Sequence, residues 1–423
     1  MLAHAGGAAT IDAPVWLLAY GAAALVLLVT VTLRGRMLVG AGSPDGADRS
    51  RVDRSRADEQ ADVAGGPADI AEGRVAGHVA GQIVGRVVGV GLLVVVVAAA
   101  LFGPAASAVN LAPSAVQTVW WIGLPLACIA LGDVMAWLDP FGTLARAVEP
   151  NVRGRRAPSW TAAALLAMWA WWVLAYHDGR TPRSLGWFLL AYTGVAIGGA
   201  AIWGRRWLRD GEAFGALSSA LAWARQPRGP GVAVAPVAAL VAVWLGAVVF
   251  DLFSGTRAWV ELAGGRSGWA RTGTATACLT AGIALAGLAV AGTARLTAAR
   301  EAAVYGWLAT TAGVFVGHGI PVLLLDGQFA LALASDPFGQ GWDLFGTATR
   351  TVDYSPLSPG FVGVLQLAAT AGGAAWGVTV AARSLRSEGG DDGPTALRAL
   401  WSVGVILAVA AAAGIAALAA DLE

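Results

Sequence analysis

Apolar residues fall in long stretches separated by short polar segments, and this alternation runs through most of the chain. A membrane helix needs ~20 apolar residues to cross ~30 Å of hydrocarbon. Ten stretches meet that measure, at roughly 14–33, 84–104, 117–138, 159–176, 185–203, 232–253, 272–293, 302–325, 359–382 and 397–419. The pattern predicts an all-α, polytopic helical membrane protein with about ten transmembrane helices. Residues 38–80 interrupt it. Their run DRSRVDRSRADEQADVAGGPAD alternates charge and lacks aromatics, so it buries too little apolar area to offset its ordering entropy. The chain therefore divides into an outer lead with the first span at 1–37, a disordered cytoplasmic linker at 38–80, and a helical membrane domain at 81–423 with an outer loop at 326–358.

Composition sharpens this picture. The chain is 57% apolar and 13% charged, with a mean hydropathy of +0.64, so the lipid bilayer is its expected partner and a cell membrane its expected place. There is no lysine, and all 28 basic residues are arginines. With the N-terminus outside, 22 arginines fall in or beside inner segments and six in outer ones. Arginine-rich loops stay cytoplasmic, so both termini are expected outside. The first stretch lacks a basic lead and a clean cleavage site and reads as a retained helix. Trp120, Trp187 and Trp269 lie at predicted outer boundaries and Trp137, Trp160 and Trp203 at inner ones, as expected of indoles at a membrane–water boundary. No phosphate-binding Gly loop, G-x-S-x-G elbow, HExxH or nucleic-acid signature is present, which argues against an ATP-driven pump, a serine hydrolase and a nucleic-acid partner. Cys128 and Cys278 have no metal or redox spacing and read as small core residues.

Several local features carry chemistry or packing. Gly77, Gly81, Gly85 and Gly89 share one helix face, a pattern for close helix contact. Pro125 is expected to kink the third span, and Asp133 near its inner end needs a partner, with Arg146 or the Arg153, Arg155 and Arg156 group in reach. Asp139-Pro140-Phe141-Gly142 reads as a turn. AFGALSSALAW, between arginines, reads as a short interfacial amphipathic helix. His177 beside Asp178 sits at an outer helix end, where the pair could bind a metal or move a proton. Asp251 lies at the outer end of the sixth span. The organising stretch is Val316–Pro356. It carries His318, the only histidine inside an apolar run, between Gly317 and Gly319 and before Pro321. Asp326-Gly327 is expected to break that helix, leaving FALALAS re-entrant or interfacial. Beyond it, Asp336, Asp343 and Asp353 face a single basic residue, Arg350, as in a solvated acidic face.

This stretch resembles a family of multi-spanning proteins labelled fenitrothion hydrolase-like. The matching pieces are Gly317-His318, Asp326-Gly327-Gln328, Leu333–Pro337, Gly339, Asp343–Thr347 and Asp353-Tyr354. Further matches are Ala3-His4, Asn110–Pro113, Gly132-Asp133, Gly211 with Ala213-Phe214, and Phe250-Asp251. The resemblance covers roughly residues 105–385 and the N-terminal lead. It implies hydrolysis of an organophosphorus ester. The family pattern has an earlier histidine in the eighth span, where Tyr305 stands here.

Three readings follow. In the first, the protein is a membrane-embedded hydrolase of a small-molecule ester. His318, Asp251 and Asp326 are then the catalytic residues, and His4, His177 and His318 the ligands of a divalent metal that lowers the pKa of a bound water to ~7. In the second it is a permease or channel-like transporter of a small solute or ion, with Asp133 and His318 beside the pathway. In the third it is a structural membrane protein, and His318 is a satisfied core histidine.

Overall fold

The computed structural model describes residues 23–34, 68–148, 158, 160–225, 234–297, 299–387, 398–400, 402–407 and 410. These residues form helices and, among them, no strands. In chain order the helices are α1 (Ala23–Arg34), α2 (Ala68–Phe102), α3 (Leu111–Leu131), α4 (Val134–Leu138), α5 (Pro140–Ala145), α6 (Thr161–Ala175), α7 (Pro182–Trp203), α8 (Trp207–Asp210), α9 (Ala213–Arg225), α10 (Val234–Ser254), α11 (Arg257–Ala263), α12 (Gly268–Thr297), α13 (Arg300–Ser335) and α14 (Pro359–Ser387). A last helix, α15, covers Arg398–Leu407.

Seven of these are long and apolar enough to cross a membrane: α2 from Ala80, α3, α7, α10, α12, α13 and α14 from Gly360. The shorter apolar helices α1, α6 and α15 coincide with the other three predicted stretches. The chain is therefore an all-α, multi-pass membrane protein. Large exposed apolar side chains such as Leu92, Leu288 and Val364 stand on the outer surface of these helices, where a bilayer would cover them.

The bundle closes on glycine. α13 and α14 pack along most of their length, and their seam is built from facing glycines. A methyl added at Gly313 would lie 2.5 Å from Gly373 Cα, and one at Gly377 2.5 Å from Gly306 O. α10 meets α12 in the same way, with Gly246 against the backbone of Ile283. Apolar side chains gain little by leaving lipid for a helix interface, so close backbone approach and dispersion contacts supply the association. The four-residue glycine pattern of α2 acts similarly: Gly85 and Gly89 lie against the backbone of Trp137 and Leu138 in α4, and Trp137 Nε1 donates to Gly81 O at 2.9 Å.

Several expectations are corrected. α13 does not break at Asp326-Gly327. It is one helix of 36 residues, roughly 54 Å long at the helical rise, and FALALAS is its last two turns. A glycine inside a helix costs only about 1 kcal/mol, and Ala, Leu and Phe on both sides restore that propensity. The third span ends earlier than expected, at Leu131. Gly132 at φ 103° reverses the chain, and Asp133 caps α4. Before that end, Ala115–Gly123 winds as a π-helix, and Pro125 opens the α-helical segment that follows. Proline is tolerated there because its missing N–H falls near a change of hydrogen-bond register. α9 is not interfacial: ten of its residues, including both serines, are buried. Phe214, Leu217 and Leu221 pack into the core, and its Ala, Gly and Ser side chains let neighbours close on the other sides. The helix α2 starts at Ala68, inside the stretch read as linker, and residues 38–67 lie outside the described residues.

Candidate functional site

His318 and Asp251 meet. His318 Nε2 lies 3.0 Å from Asp251 Oδ2, and their side chains are 12% and 22% exposed. Asp251 sits in the last turn of α10 and His318 midway along α13. The glycines around His318 explain its placement. Gly317 lets α14 approach, with Gln366 Cα 3.0 Å from an added methyl; Gly319 does the same for Ile122 of α3 at 2.9 Å. α13 is thus gripped on two sides, and His318 reaches a third helix, α10.

A carboxylate on one ring nitrogen fixes the imidazole. In the neutral ring Nε2–H donates to Asp251, and the basic lone pair is on Nδ1. Asp251 also stabilises the imidazolium that forms when Nδ1 takes a proton. Asp326, the third predicted catalytic residue, lies eight positions further along α13, roughly 12 Å toward the acidic segment that follows the helix, and is partly buried.

His177, another predicted ligand, is held elsewhere. His177 follows α6 and fastens it to α12. Its backbone N–H donates to Thr272 Oγ1 at 3.0 Å, its Nδ1 is 2.9 Å from the same oxygen, and its Nε2 is 3.4 Å from Asp178. Its ring packs between Tyr176 and Trp269. His4 lies outside the described residues. Among the described residues no three His, Cys, Asp or Glu side chains group closely enough to hold a metal. Tyr305 is fully buried against Trp223 near the start of α13, about 20 Å along the helix from His318.

The acidic segment after α13 is internally bonded. Asp343 Oδ1 accepts from Ser335 Oγ at 2.8 Å and Ala348 N at 3.0 Å. Asp336 accepts from the N–H groups of Gln340 and Gly341. The Gln328 amide pairs with both backbone groups of Asp353 at 2.9 Å. The Ala348 N–H, with Ser335 and the Thr347 and Gly346 N–H groups, holds the Asp343 carboxyl below its usual range. These carboxylates shape a loop, with glycines at positive φ at Gly339, Gly341 and Gly346.

A second polar cluster lies at the arginine-rich end, and sequence reasoning did not assemble it. Asp133 does not pair with Arg146. Its Oδ1 accepts from Ser218 Oγ at 2.7 Å and from Ala136 N at 3.1 Å, because the turn at Gly132 aims it at α9. Arg146 pairs instead with Asp139 at 2.9 Å, and Arg86 approaches the same oxygen at 3.9 Å; Arg153, Arg155 and Arg156 lie outside the described residues. Burial pushes the Asp139 carboxyl up, against the pull of Arg146, Arg86 and Arg205. Glu212 is 1% exposed and receives the Tyr192 hydroxyl and the N–H groups of Phe214 and Gly215. Burial raises its pKa, and these bonds offset only part of that rise. The available signal was a glutamate directly before a helix, where N–H groups need an acceptor.

The fold and these sites define a multi-pass helical membrane protein. No family model, curated protein or solved structure matches the chain.

Proposed function

We propose that this protein is a membrane-embedded hydrolase in which His318 and Asp251 activate water against a small ester, with organophosphorus esters the class the sequence resemblance suggests. The observation that carries the reading is the 3.0 Å bond between the two residues across α10 and α13. A base oriented by a carboxylate is the arrangement general-base hydrolysis needs. His318 Nδ1 takes a proton from water as the water oxygen attacks the phosphorus or acyl carbon. Asp251 steadies the imidazolium, and the proton then passes to the departing alkoxide or phenoxide oxygen. Purified protein in detergent, given a p-nitrophenyl phosphotriester and a p-nitrophenyl carboxylate ester, should release nitrophenolate. His318→Asn should abolish that release; equal rates in wild type and variant would reject the reading.

A second reading rests on the position of the same pair. Ionisable groups bridging two membrane helices often carry protons in transporters. In that case proteoliposomes loaded with a pH-sensitive dye take up protons with a solute, and Asp251→Asn stops the uptake while leaving ester hydrolysis absent in both proteins.

A further inference from the structure

We propose that a cavity at the arginine-rich end binds a small zwitterion carrying a phosphate and an ammonium group, of the kind found in an ethanolamine phospholipid headgroup. The cavity has a volume of about 190 Å³, room for a small polar molecule rather than a single water. One wall comes from the turns on either side of α4, which carry Asp133 and Asp139; the other comes from Arg205 to Gly215. Gly132 at φ 103° and Asp139 at φ 35° hold the first wall in place, and the Glu212 cap holds the second.

The lining is of both signs, and the pairing within it is incomplete. Asp139 pairs with Arg146 at 2.9 Å, whereas Arg209, exposed at the rim, has no carboxylate partner among the described residues. Both hydrogen bonds to Asp133 fall on Oδ1. A simple anion placed here gains Arg205 and Arg209 but meets Asp133 and Asp139; a simple cation meets the reverse. A ligand with both charges a few ångströms apart matches each wall, and like-charge juxtaposition rejects the others. The exposed indoles of Trp137 and Trp160 stand at the same end, as at headgroup depth in a bilayer.

The test is calorimetric titration of delipidated protein in detergent with phosphoethanolamine, ethanolamine, inorganic phosphate, and dihexanoyl phosphatidylethanolamine and phosphatidylglycerol. The two ethanolamine phosphates should bind at least tenfold tighter than ethanolamine, phosphate or the glycerol lipid. Arg205→Gln with Arg209→Gln should remove that preference; the wild-type ranking alone tests the proposal if the variant does not fold. Tighter binding of the ethanolamine lipid than of phosphoethanolamine identifies a membrane lipid as the source, and equal binding of both identifies a soluble zwitterion. Phosphate or the glycerol lipid binding as tightly as the ethanolamine compounds, or no binding by any, overturns it.

Discussion

Tyr192 of α7 donates its hydroxyl to Glu212, the residue that caps α9, and both are almost completely buried. The bond ties the start of a buried helix to the middle of a membrane-crossing one. Glu212→Ala leaves the Tyr192 hydroxyl and two backbone N–H groups without their acceptor. It should destabilise the protein by ~3 kcal/mol or more, in line with breaking a buried charged hydrogen-bond set. Tyr192→Phe should cost less, about 1–2 kcal/mol, because the N–H bonds to Glu212 remain. Thermal unfolding in detergent measures both.

The same carboxyl gives a pH signature. Its folded pKa is raised above 4.5 by burial, so the folded state holds the proton more tightly than the unfolded chain. Its favourable contribution is complete below pH 4.5 and is lost as pH rises through the raised value. Glu212→Gln, which keeps the Tyr192 bond, should flatten that fall. The difference between wild-type and variant melting temperatures against pH isolates it from Asp139, whose carboxyl moves in the same direction.

Neighbouring glycines in α14 should behave oppositely. A side chain at Gly373 collides with Gly313, while one at Gly372 meets nothing within 4 Å. Gly373→Val should therefore cost several kcal/mol or prevent folding, by overpacking the seam. Gly372→Ala should be neutral or stabilising by up to ~1 kcal/mol through helix propensity. Detergent-resistant yield and melting temperature separate the two.

For the His318–Asp251 pair, Asp251→Asn removes the charge and leaves the shape. If hydrolysis is the activity, kcat should fall by ~100-fold or more, as when a triad aspartate is neutralised. KM should change little, because Asp251 acts on His318 and not on substrate. A larger change in KM than in kcat would assign Asp251 to binding.

Asp343 gives the opposite pH sign from Glu212. Its folded pKa is lowered, first by the Ala348 N–H. The ordering it lends the acidic loop is present above pH 3.8 and is lost as pH falls through the depressed value. Hydrogen exchange at Phe345, Thr347 and Ala348 should quicken only in strong acid, and Ser335→Ala should quicken it at neutral pH.

Each predicted apolar stretch has a helix in the structure, because twenty apolar residues can satisfy their backbone in lipid only by coiling. The sequence also singled out His318 and Asp251 as catalytic candidates, since a charge or imidazole among apolar neighbours stands out by composition. Their contact did not stand out, because they lie 67 positions apart. Partner choice around Asp133 was hidden for a similar reason. An arginine is the obvious mate by charge, yet a φ of 103° at Gly132 directs the carboxylate to Ser218. Asp326-Gly327 misled because the same dipeptide makes turns in water and is tolerated in a long apolar helix. α9 misled because flanking arginines suggested an interface, while neighbouring helices close over its large Phe214, Leu217 and Leu221 as well as its small residues.

α13 runs without interruption from Tyr305, held by Trp223, to Gln328, clipped to Asp353. A helix transmits axial force with little compression, so these points and His318 move as one rod. Asp251 belongs to a different rod. Sliding of one rod against the other alters the 3.0 Å separation of imidazole and carboxylate, and with it the hydrogen bond between them.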